Sequence, residues 1–501
     1  MRTLVNPDLA ADSRIEGTPR STCRNRTVVA LAVSLAVMLG GIVPHHGLAE
    51  YEPAAVDIGS RRELFVDRHI VGELHGAVLK MHTPQLQPPV SPPRPHGHYA
   101  TVLKADDKFQ FYYRGDTKPG NHWKKGWEQY HEGEVTLYAE SPDAIHWTLP
   151  HLGIYDDHPT FPDGNVVLMN EFLVNHNFTP FIDTRPGVPE EERYKGLGGL
   201  AYQPHKEHLE VRERRGPGGL IAFASPDGIH WKRLAEEPVV PEEYGKYFDS
   251  QNYAFWSESE QCYVCYFRRF IKGYRGIART TSQDFLTWTP FVEMQANLPR
   301  EHLYTSCTQP YYRAPHIYLA LPTRFMADRG AATDILLMST RGGDYFDREF
   351  TESFIRPGIG SEGWANRANY AAIGIHETSP TELSLFLTHG RRYTLRIDGF
   401  VSVNAPLAGG ELITRPLTFS GSALEINYST SAAGQVLVEL QDADGHPIPG
   451  FTLEECEPIY GDHIDRAVNW TDDTDVSSIS GDTIRIRFVM SDADLYSLRF
   501  H

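Results

Sequence analysis

The sequence predicts an all-β protein in which a five-bladed β-propeller is followed by a C-terminal β-sandwich. Three observations support this prediction. A short motif recurs along the chain, pairs of β-like runs fill residues 96–394, and the pattern of these runs changes near residue 395. No long window shows the periodicity of an amphipathic helix.

The recurring motif is Ser-Pro-Asp-Ala-Ile-His-Trp at residues 141–147. It returns at residues 225–231 and 282–288 with Ser, Asp and Trp in register, and a degraded copy begins at Ser339. Each copy follows a β-like run. We therefore expect a turn in which the Asp accepts hydrogen bonds from the loop backbone while the Trp covers the sheet. Such a unit cannot bury its faces alone, and its radial repetition makes a propeller.

Paired β-like runs separated by short polar turns predict β-hairpins. Residues 99–103 with 109–113 form one such pair, and counting pairs from about residue 96 to 392 gives five blades. The tail, residues 395–501, has short alternating strands between Gly, Asp and Ser turns, which is typical of a β-sandwich. Residues 50–95 form an N-terminal extension with lead-in strands.

Residues 1–49 predict an export signal with its leader. Arg20, Arg24 and Arg26 precede an uncharged run over residues 27–43, and the small residues up to Ala49 suit cleavage there. We therefore expect a secreted or periplasmic protein. Its membrane contact would be this segment alone, if the segment is not cleaved.

Composition narrows the classes of function. The 501 residues carry a net charge of −18 and contain no basic stripe or glycine-rich phosphate loop, which argues against a nucleic-acid partner. Aromatic residues make up 11% of the chain, a content that suits β-strands and sugar-stacking surfaces alike. Strand alternation places Cys262 and Cys265 on opposite faces, so we expect buried free thiols, and no metal site has zinc spacing. We expect no required cofactor and leave calcium at the axis open.

The repeats and hairpins resemble the five-bladed propellers of the arabinanase, invertase and levansucrase clan of glycoside hydrolases. Their turns are also similar to the Asp-boxes of sialidases. Five segments resemble, more closely, a group of exported bacterial proteins described as glycoside-hydrolase-like. These segments lie at residues 63–67, 248–256, 311–316, 366–370 and 493–497. The resemblance implies a carbohydrate-active propeller but brings no settled activity with it.

The chain departs from the clan at the catalytic positions. The clan places an Asp base, a pKa-tuning Asp and a Glu acid at the starts of the innermost strands of blades one, two and three. Here the corresponding starts carry His98-Tyr99, then Asn175-His176-Asn177, then Asp249. The clan's catalytic trio is therefore not carried over intact.

Ligands of propellers usually sit over the axis, where the innermost strands begin. Glycoside hydrolysis uses two carboxyl groups, and the carboxylates that we select are Asp249, Glu362 and, third, Asp183. Arginines that begin or follow strands would suit an anionic sugar through bidentate contacts, and Arg114 is among them. The predicted substrate-binding residues are His98, His176, Asn177, Gln251, Asn252, Arg268, Tyr304, Gln309, Arg324, Asn366 and Arg367.

Three functions remain open from the sequence. The first is a glycoside hydrolase that acts on an extracellular poly- or oligosaccharide with paired carboxylates. The second is a non-catalytic carbohydrate-binding or surface propeller. The third is a polysaccharide lyase, which needs a Tyr or His base beside a cation; Tyr304, His98 and the arginines supply these groups.

Overall fold

The computed structural model describes residues 55–90, 98–117, 127–155, 159–245, 248–471 and 475–501. The described chain is almost entirely β, which confirms the predicted class. The predicted signal lies outside the described residues. Within them, no helix combines the length and the apolar character needed to span a membrane.

The first strands of the chain do not form a sheet of their own. They are β1 (Val56–Gly59), β2 (Glu63–Leu64), β3 (Val71–His75), β4 (Val78–Met81) and β5 (Gln85–Leu86). Strands β1 to β4 pair with strands from the C-terminal part of the chain, whereas β5 pairs with a strand near residue 393. The lead-in segment therefore links the two ends of the chain.

Three antiparallel sheets follow in chain order. The first contains β6 (Thr101–Ala105), β7 (Lys108–Asp116), β8 (Glu134–Ser141) and β9 (Val166–Leu168), with helix α1 (Trp127–His131) between β7 and β8. The second contains β10 (Thr179–Ile182), β11 (Tyr194–Gly198), β12 (Gly219–Ser225), β13 (Lys232–Arg233) and β14 (Val240–Pro241), with α2 (Lys206–Arg215) and α3 (Glu242–Gly245). The third contains β15 (Tyr253–Ser257), β16 (Cys262–Ile271), β17 (Tyr274–Ser282) and β18 (Val292–Glu293). In each sheet the pairing follows chain order, as expected for propeller blades, except that β14 pairs with β12.

Two further groups of strands complete the ring. The fourth contains β19 (Thr308–Tyr311), β20 (Ala314–Ala320) and β23 (Met338–Thr340), and the hairpin of β21 (Thr323–Met326) and β22 (Ala332–Ile335) lies between β20 and β23 along the chain. The fifth contains β24 (Ala371–Ser379), β25 (Glu382–Leu387) and β26 (Arg391–Arg396). Short 3₁₀ turns occur at Val174–His176, Glu190–Glu192, Thr388–Gly390 and Ser477–Ile479.

The first strands of these groups form a closed order. Strands β6, β10, β15, β19 and β24 contact one another in that sequence, and β24 returns to β6 in a parallel pairing of Ile373 with Thr101. This is the arrangement of a β-propeller, in which innermost strands surround an axis. The closed order supports the count of five blades, which we keep as a prediction.

The three copies of the Asp-Trp motif occupy equivalent places. Each follows the third strand of its sheet, at the ends of β8, β12 and β17. In the second copy, Asp227 Oδ1 accepts hydrogen bonds from the Ser225 hydroxyl and from the backbone N–H groups of Ile229 and His230, at 2.8–3.0 Å. Asp143 and Asp284 accept the matching set in their turns. The motif is thus a repeated strand connection, as its spacing predicts.

The C-terminal part of the chain forms a ten-stranded sheet with β1 to β4. Its own strands are β27 (Val401–Ala405), β28 (Gly410–Thr414), β29 (Leu417–Phe419), β30 (Leu424–Asp442), β31 (Asp462–Ala467) and β32 (Ile484–Phe500). The long strands β30 and β32 pair in two stretches that are separated by an irregularity between Thr430 and Gln435. The predicted boundary at residue 395 falls inside β26, which pairs with β25 of the fifth group.

The cysteines within the described residues match expectation. Cys262, Cys265, Cys307 and Cys456 are buried and free. Burial raises the pKa of each of these thiols, so they remain protonated and act as small apolar groups.

Candidate functional site

The segments that lead into the innermost strands meet at one end of the ring. Each segment contains a residue with a left-handed backbone that is not glycine. These residues are Tyr99 (φ 58°), Leu173 (φ 68°), Phe248 (φ 54°), Cys307 (φ 42°) and Arg367 (φ 55°). Such a conformation is strained for residues with a Cβ, costs about 1–3 kcal/mol, and is concentrated at ligand sites. Twelve other non-glycine residues among those described share this conformation, so it does not by itself mark a site. We call this end of the ring the mouth.

A phenol surrounded by three guanidinium groups lies at the mouth. Tyr304 precedes β19, Arg268 lies near the end of β16, Arg275 begins β17 and Arg367 precedes β24. The guanidinium carbons lie 4.6 Å (Arg268), 4.9 Å (Arg275) and 5.7 Å (Arg367) from the centroid of the Tyr304 ring. We call these four residues the axial cluster. The third sheet and the segments before β19 and β24 thus contribute to one site.

The arginines change the acidity of this phenol. Burial alone would raise the pKa of Tyr304, but the charges of Arg268, Arg367 and Arg275, with a hydrogen bond from Arg268, lower it from 10 to about 8. By contrast, burial raises the pKa of the neighbouring Tyr99 and Tyr370. Tyr304 is therefore the phenol at this mouth that can ionise near neutral pH.

The guanidinium groups of the axial cluster are incompletely paired. Arg268 Nη1, Arg275 Nε and Arg367 Nε are buried and have no hydrogen-bond partner among the described residues. Burial, together with the nearby charge of Arg268, lowers the pKa of Arg275 to about 10. Buried cations without full pairing are costly, so this arrangement would be stabilised by an anion.

Asp249 is the acidic neighbour of the cluster. Its carboxylate forms an ion pair with the Arg268 guanidinium, and its side chain is 41% exposed, so it also reaches solvent. Its backbone carbonyl accepts a 2.9 Å hydrogen bond from the Tyr99 hydroxyl. The Tyr99 and Tyr370 rings lie 5.9 Å apart, and Tyr370 is 5.4 Å from Tyr304. Asp249 therefore belongs to the same mouth, where its negative charge neutralises one of the three guanidinium charges.

His98 faces the aromatic side of this mouth. Its ring centroid lies 5.0 Å from that of Tyr370, and its buried Nδ1 has no partner among the described residues. Burial and the charge of Arg114 lower the pKa of His98 to about 3, so the imidazole is neutral at pH 7. The Nδ1 atom of His98 can therefore donate one hydrogen bond to a ligand or accept one from it.

A second buried group lies beside the first. Glu134 Oε2 is 2.7 Å from His131 Nδ1, and Glu134 Oε1 is 2.8 Å from His176 Nδ1. The guanidinium of Arg114 is 3.4 Å from Glu134 and lies 5.7 Å from the Tyr99 ring centroid. Burial opposes ionisation of Glu134, but the two histidines hold its pKa well below the usual range. Burial lowers the pKa of His176 to about 4.

Two groups of described residues are close enough to share a metal ion. In the first, His131, Glu134 and His176, the guanidinium of Arg114 already contacts the carboxylate that would bind the ion. The second, Asp442, Asp444 and His446, is an exposed turn whose Asp442 carboxylate accepts backbone hydrogen bonds from the other two residues. Neither group lies free for a cation, and we assign no metal to them.

Several predicted binding residues hold the blades together instead of facing the mouth. Asn177 donates to the carbonyls of Gly199, Phe248 and Ser250. Gln251 donates to the Ala100 carbonyl at 2.8 Å, and Asn252 donates to the Ser250 carbonyl. Gln309 accepts a hydrogen bond from the Gly374 N–H. The amides of Asn177, Gln251 and Gln309 connect the starts of different innermost strands, whereas that of Asn252 stabilises its own segment.

Two other candidates have different surroundings. Asp183 is fully buried and accepts 2.6 Å contacts from Lys195 Nζ and the Tyr263 hydroxyl. Tyr263 pairs with Trp256, near the end of β15 that is remote from Asp249. Arg324 forms a bidentate pair with Asp334. Asp183 and Arg324 are thus engaged in ion pairs within the sheets.

Glu362 and Asn366 are both exposed in the loop before β24. Within the described contacts, the Glu362 side chain has no link to the axial cluster, whereas Arg367 of the same loop belongs to it. The spacing between the Asp249 and Glu362 carboxyl groups that hydrolysis requires stays a prediction.

Sequence reasoning did not select Arg275, Glu134 or His131. Arg275 pairs with Phe270 across the β16–β17 hairpin, so the turn carries it back to the end of the strand that holds Arg268. Glu134 begins β8 directly opposite Asp116 at the end of β7. The hairpins could have indicated these residues. In an antiparallel sheet, the start of the third strand lies at the same end as the start of the first strand, so residues at both positions reach the mouth.

Comparison with known proteins adds little to this geometry. No protein-family model and no curated protein matches the chain. One similar solved structure is a glycoside hydrolase family 43 arabinoxylan arabinofuranohydrolase from Bacillus subtilis in complex with cellotetraose. The identity is 12% and the TM-score 0.38, over 81% of this chain and 96% of that one.

Two further structures are similar at the same level. A fructofuranosidase from Schwanniomyces occidentalis complexed with fructosylnystose has 10% identity and a TM-score of 0.38, over 83% of this chain and 96% of that one. A β-1,2-mannobiose phosphorylase from Listeria innocua has 10% identity and a TM-score of 0.41, over 61% and 91%. At these TM-scores the likeness carries no inference about activity, and the fold rests on the sheet pairings given above.

Proposed function

We propose that the protein is a carbohydrate-active enzyme that breaks glycosidic bonds of an extracellular poly- or oligosaccharide at the propeller mouth. The observation that carries this proposal is Tyr304, a buried phenol with a pKa of about 8 among three guanidinium groups. A phenol with a pKa near the working pH can serve as a general base or nucleophile. A purely binding surface has no need of such a group.

The surroundings of Tyr304 supply the other groups that this chemistry uses. Asp249 reaches solvent beside Arg268, and neutral His98 presents an unpartnered ring nitrogen. The aromatic rings of Tyr99 and Tyr370 give the mouth apolar walls against which a sugar ring can pack. We keep hydrolysis by paired carboxylates as one form of this activity, with Asp249 as the carboxylate nearest the cluster.

The proposal is tested by screening the full chain against neutral and acidic polysaccharides for new reducing ends. Tyr304→Phe should lower the release of reducing ends by about 10²–10⁴-fold, because a Phe ring cannot exchange a proton. Tyr266→Phe is the matched control, since Tyr266 is a buried tyrosine whose hydroxyl has no partner among the described residues. Binding of a polysaccharide without any new reducing ends would contradict the enzyme and favour a carbohydrate-binding propeller.

A further inference from the structure

The axial cluster has more positive charge than its protein neighbours neutralise. Three guanidinium groups surround the Tyr304 ring, and the carboxylate in described contact with them is that of Asp249. Three of their N–H groups are buried and have no partner in the described part of the chain. Unsatisfied buried donors on cations are among the costliest defects in a folded protein. The axial cluster is therefore suited to a ligand that carries negative charge.

The shape of these donors selects the type of anion. Guanidinium groups pair with oxyanions such as carboxylates through two parallel hydrogen bonds. The anion must also lie against the Tyr304 ring, because all three guanidinium carbons lie within 5.7 Å of its centroid. Among carbohydrates, a uronate carries its carboxylate directly on the sugar ring. The sugar ring of the uronate would then lie beside the Tyr304 hydroxyl.

We infer that the substrate is a uronate-containing polysaccharide and that the mouth cleaves it by β-elimination, with Tyr304 as the base and the axial arginines on the uronate carboxylate. This inference rests on the proposed function and names its substrate and reaction. It requires one base and a neutralised carboxylate, both of which the cluster provides. Hydrolysis by paired carboxylates requires a second carboxyl group beside Asp249, and Glu362 has no described contact with the cluster.

The reaction balances without any further reagent. The Tyr304 phenolate removes the proton from C5 of the uronate, and the electron pair of that C–H bond forms the C4=C5 double bond. The C4–O4 bond breaks, and its electron pair goes to O4. The departing O4 takes the proton that Tyr304 now carries, which restores the phenolate. One chain becomes two, and no water is consumed.

The arginines act on the charge that develops in this reaction. Removal of the C5 proton places negative charge on C5, and the adjacent carboxylate shares it. Arg268, Arg275 and Arg367 already lie around this position, so they stabilise the charge without having to reorganise. The same three charges lower the pKa of Tyr304. One set of arginines therefore serves both the substrate anion and the base.

The first experiment compares matched substrates. The full chain is incubated with polygalacturonate, with alginate, with carboxyl-reduced polygalacturonate and with a sulfated galactan that contains no uronate, in water enriched in ¹⁸O. We expect equal amounts of reducing ends and of the ultraviolet-absorbing unsaturated product from a uronate polymer. We expect no ¹⁸O in these products and no cleavage of the reduced polymer.

The outcomes separate this inference from the proposed function. Reducing ends that contain ¹⁸O and lack the unsaturated absorbance would show hydrolysis, which overturns elimination and leaves glycosidic cleavage standing. Cleavage of the sulfated or the carboxyl-reduced polymer, with the uronate polymers inert, would overturn the uronate assignment. Absence of reducing ends from every substrate would overturn both proposals.

A second experiment tests the roles within the cluster. Tyr304→Phe should lower turnover by about 10²–10⁴-fold, the usual contribution of a general base, while calorimetric binding of galacturonate changes little. Arg268→Gln should lower the turnover and also weaken the binding of galacturonate. Arg269→Gln is the control, because this neighbour on β16 donates instead to the carbonyls of Glu243 and Tyr244. Retained turnover in Tyr304→Phe, or equal losses in Arg268→Gln and Arg269→Gln, would overturn the assignment.

Discussion

Direct titration of Tyr304 tests the electrostatics on which the site depends. An ordinary tyrosine has a pKa of about 10, and the three arginines lower that of Tyr304 to about 8. At pH 7 about one Tyr304 phenol in ten is then ionised, against about one in a thousand for an ordinary tyrosine. Ultraviolet difference spectra of wild type minus Tyr304→Phe should show one tyrosinate forming with a midpoint near pH 8.

The arginines should control that midpoint. Arg268 contributes its charge and a hydrogen bond to the Tyr304 phenol. Arg268→Gln should therefore move the midpoint back toward that of an ordinary tyrosine, whereas Arg269→Gln should leave it in place. A difference spectrum without tyrosinate below pH 9, or the same midpoint in Arg268→Gln, would refute the electrostatic account of the site.

The same shift predicts a pH-dependent stability. The pKa of Tyr304 is lower in the folded chain than in the unfolded one, so its ionisation adds stability at pH values above the unfolded pKa of about 10. That contribution is lost as the pH falls through 8. Two pKa units correspond to about 3 kcal/mol, which is an upper limit. The free energies of unfolding in urea of wild type and Tyr304→Phe should thus differ more near pH 10 than at pH 7.

Further predictions follow from other described contacts. Arg275→Met should raise the melting temperature, because it removes a buried cation whose pKa falls to about 10, while it weakens galacturonate binding in calorimetry. Lys195→Met should cost about 3–5 kcal/mol in urea unfolding, because it leaves the Asp183 carboxylate buried without its cation. Asp227→Ala should cost about 1–3 kcal/mol at pH 7, since the turn loses its acceptor. Burial opposes ionisation of Asp227, but backbone hydrogen bonds lower its pKa to about 2, so this cost should disappear as the pH falls from 4 through 2.

Local patterns in the sequence were sufficient for the all-β class and for the repeated turns. The Asp of each copy needs backbone donors two and three residues ahead, and this requirement is visible in the motif itself. The lead-in strands were harder to place. Strands β1 to β4 pair with strands more than 300 residues later, such as Val56 with Leu417. No local alternation reveals which distant strand a short run will join.

The site shows the same division between local and distant information. Asp249, Tyr304 and Arg367 were selected because each precedes or begins a predicted innermost strand, and Arg268 because it follows a predicted strand. Arg275 depends on the turn between β16 and β17, whose length decides which residue faces the mouth. Arg367 and Glu362 lie five residues apart in one glycine-rich loop, and their sequence does not indicate which one turns inward.

The mouth contains features that lower the stability of the fold but serve the proposed chemistry. Non-glycine residues take left-handed backbones at the strand entries, and three arginines, of which Arg268 is buried, share one phenol and one nearby carboxylate. Each feature is unfavourable in an isolated loop, and both persist because the amides of Asn177 and Gln251 tie the strand starts together. The amides thus create the rigidity, and the rigidity lets like charges remain close together. A carboxylate-bearing sugar would relieve that repulsion on entering, which gives the ligand both its affinity and its place against the base.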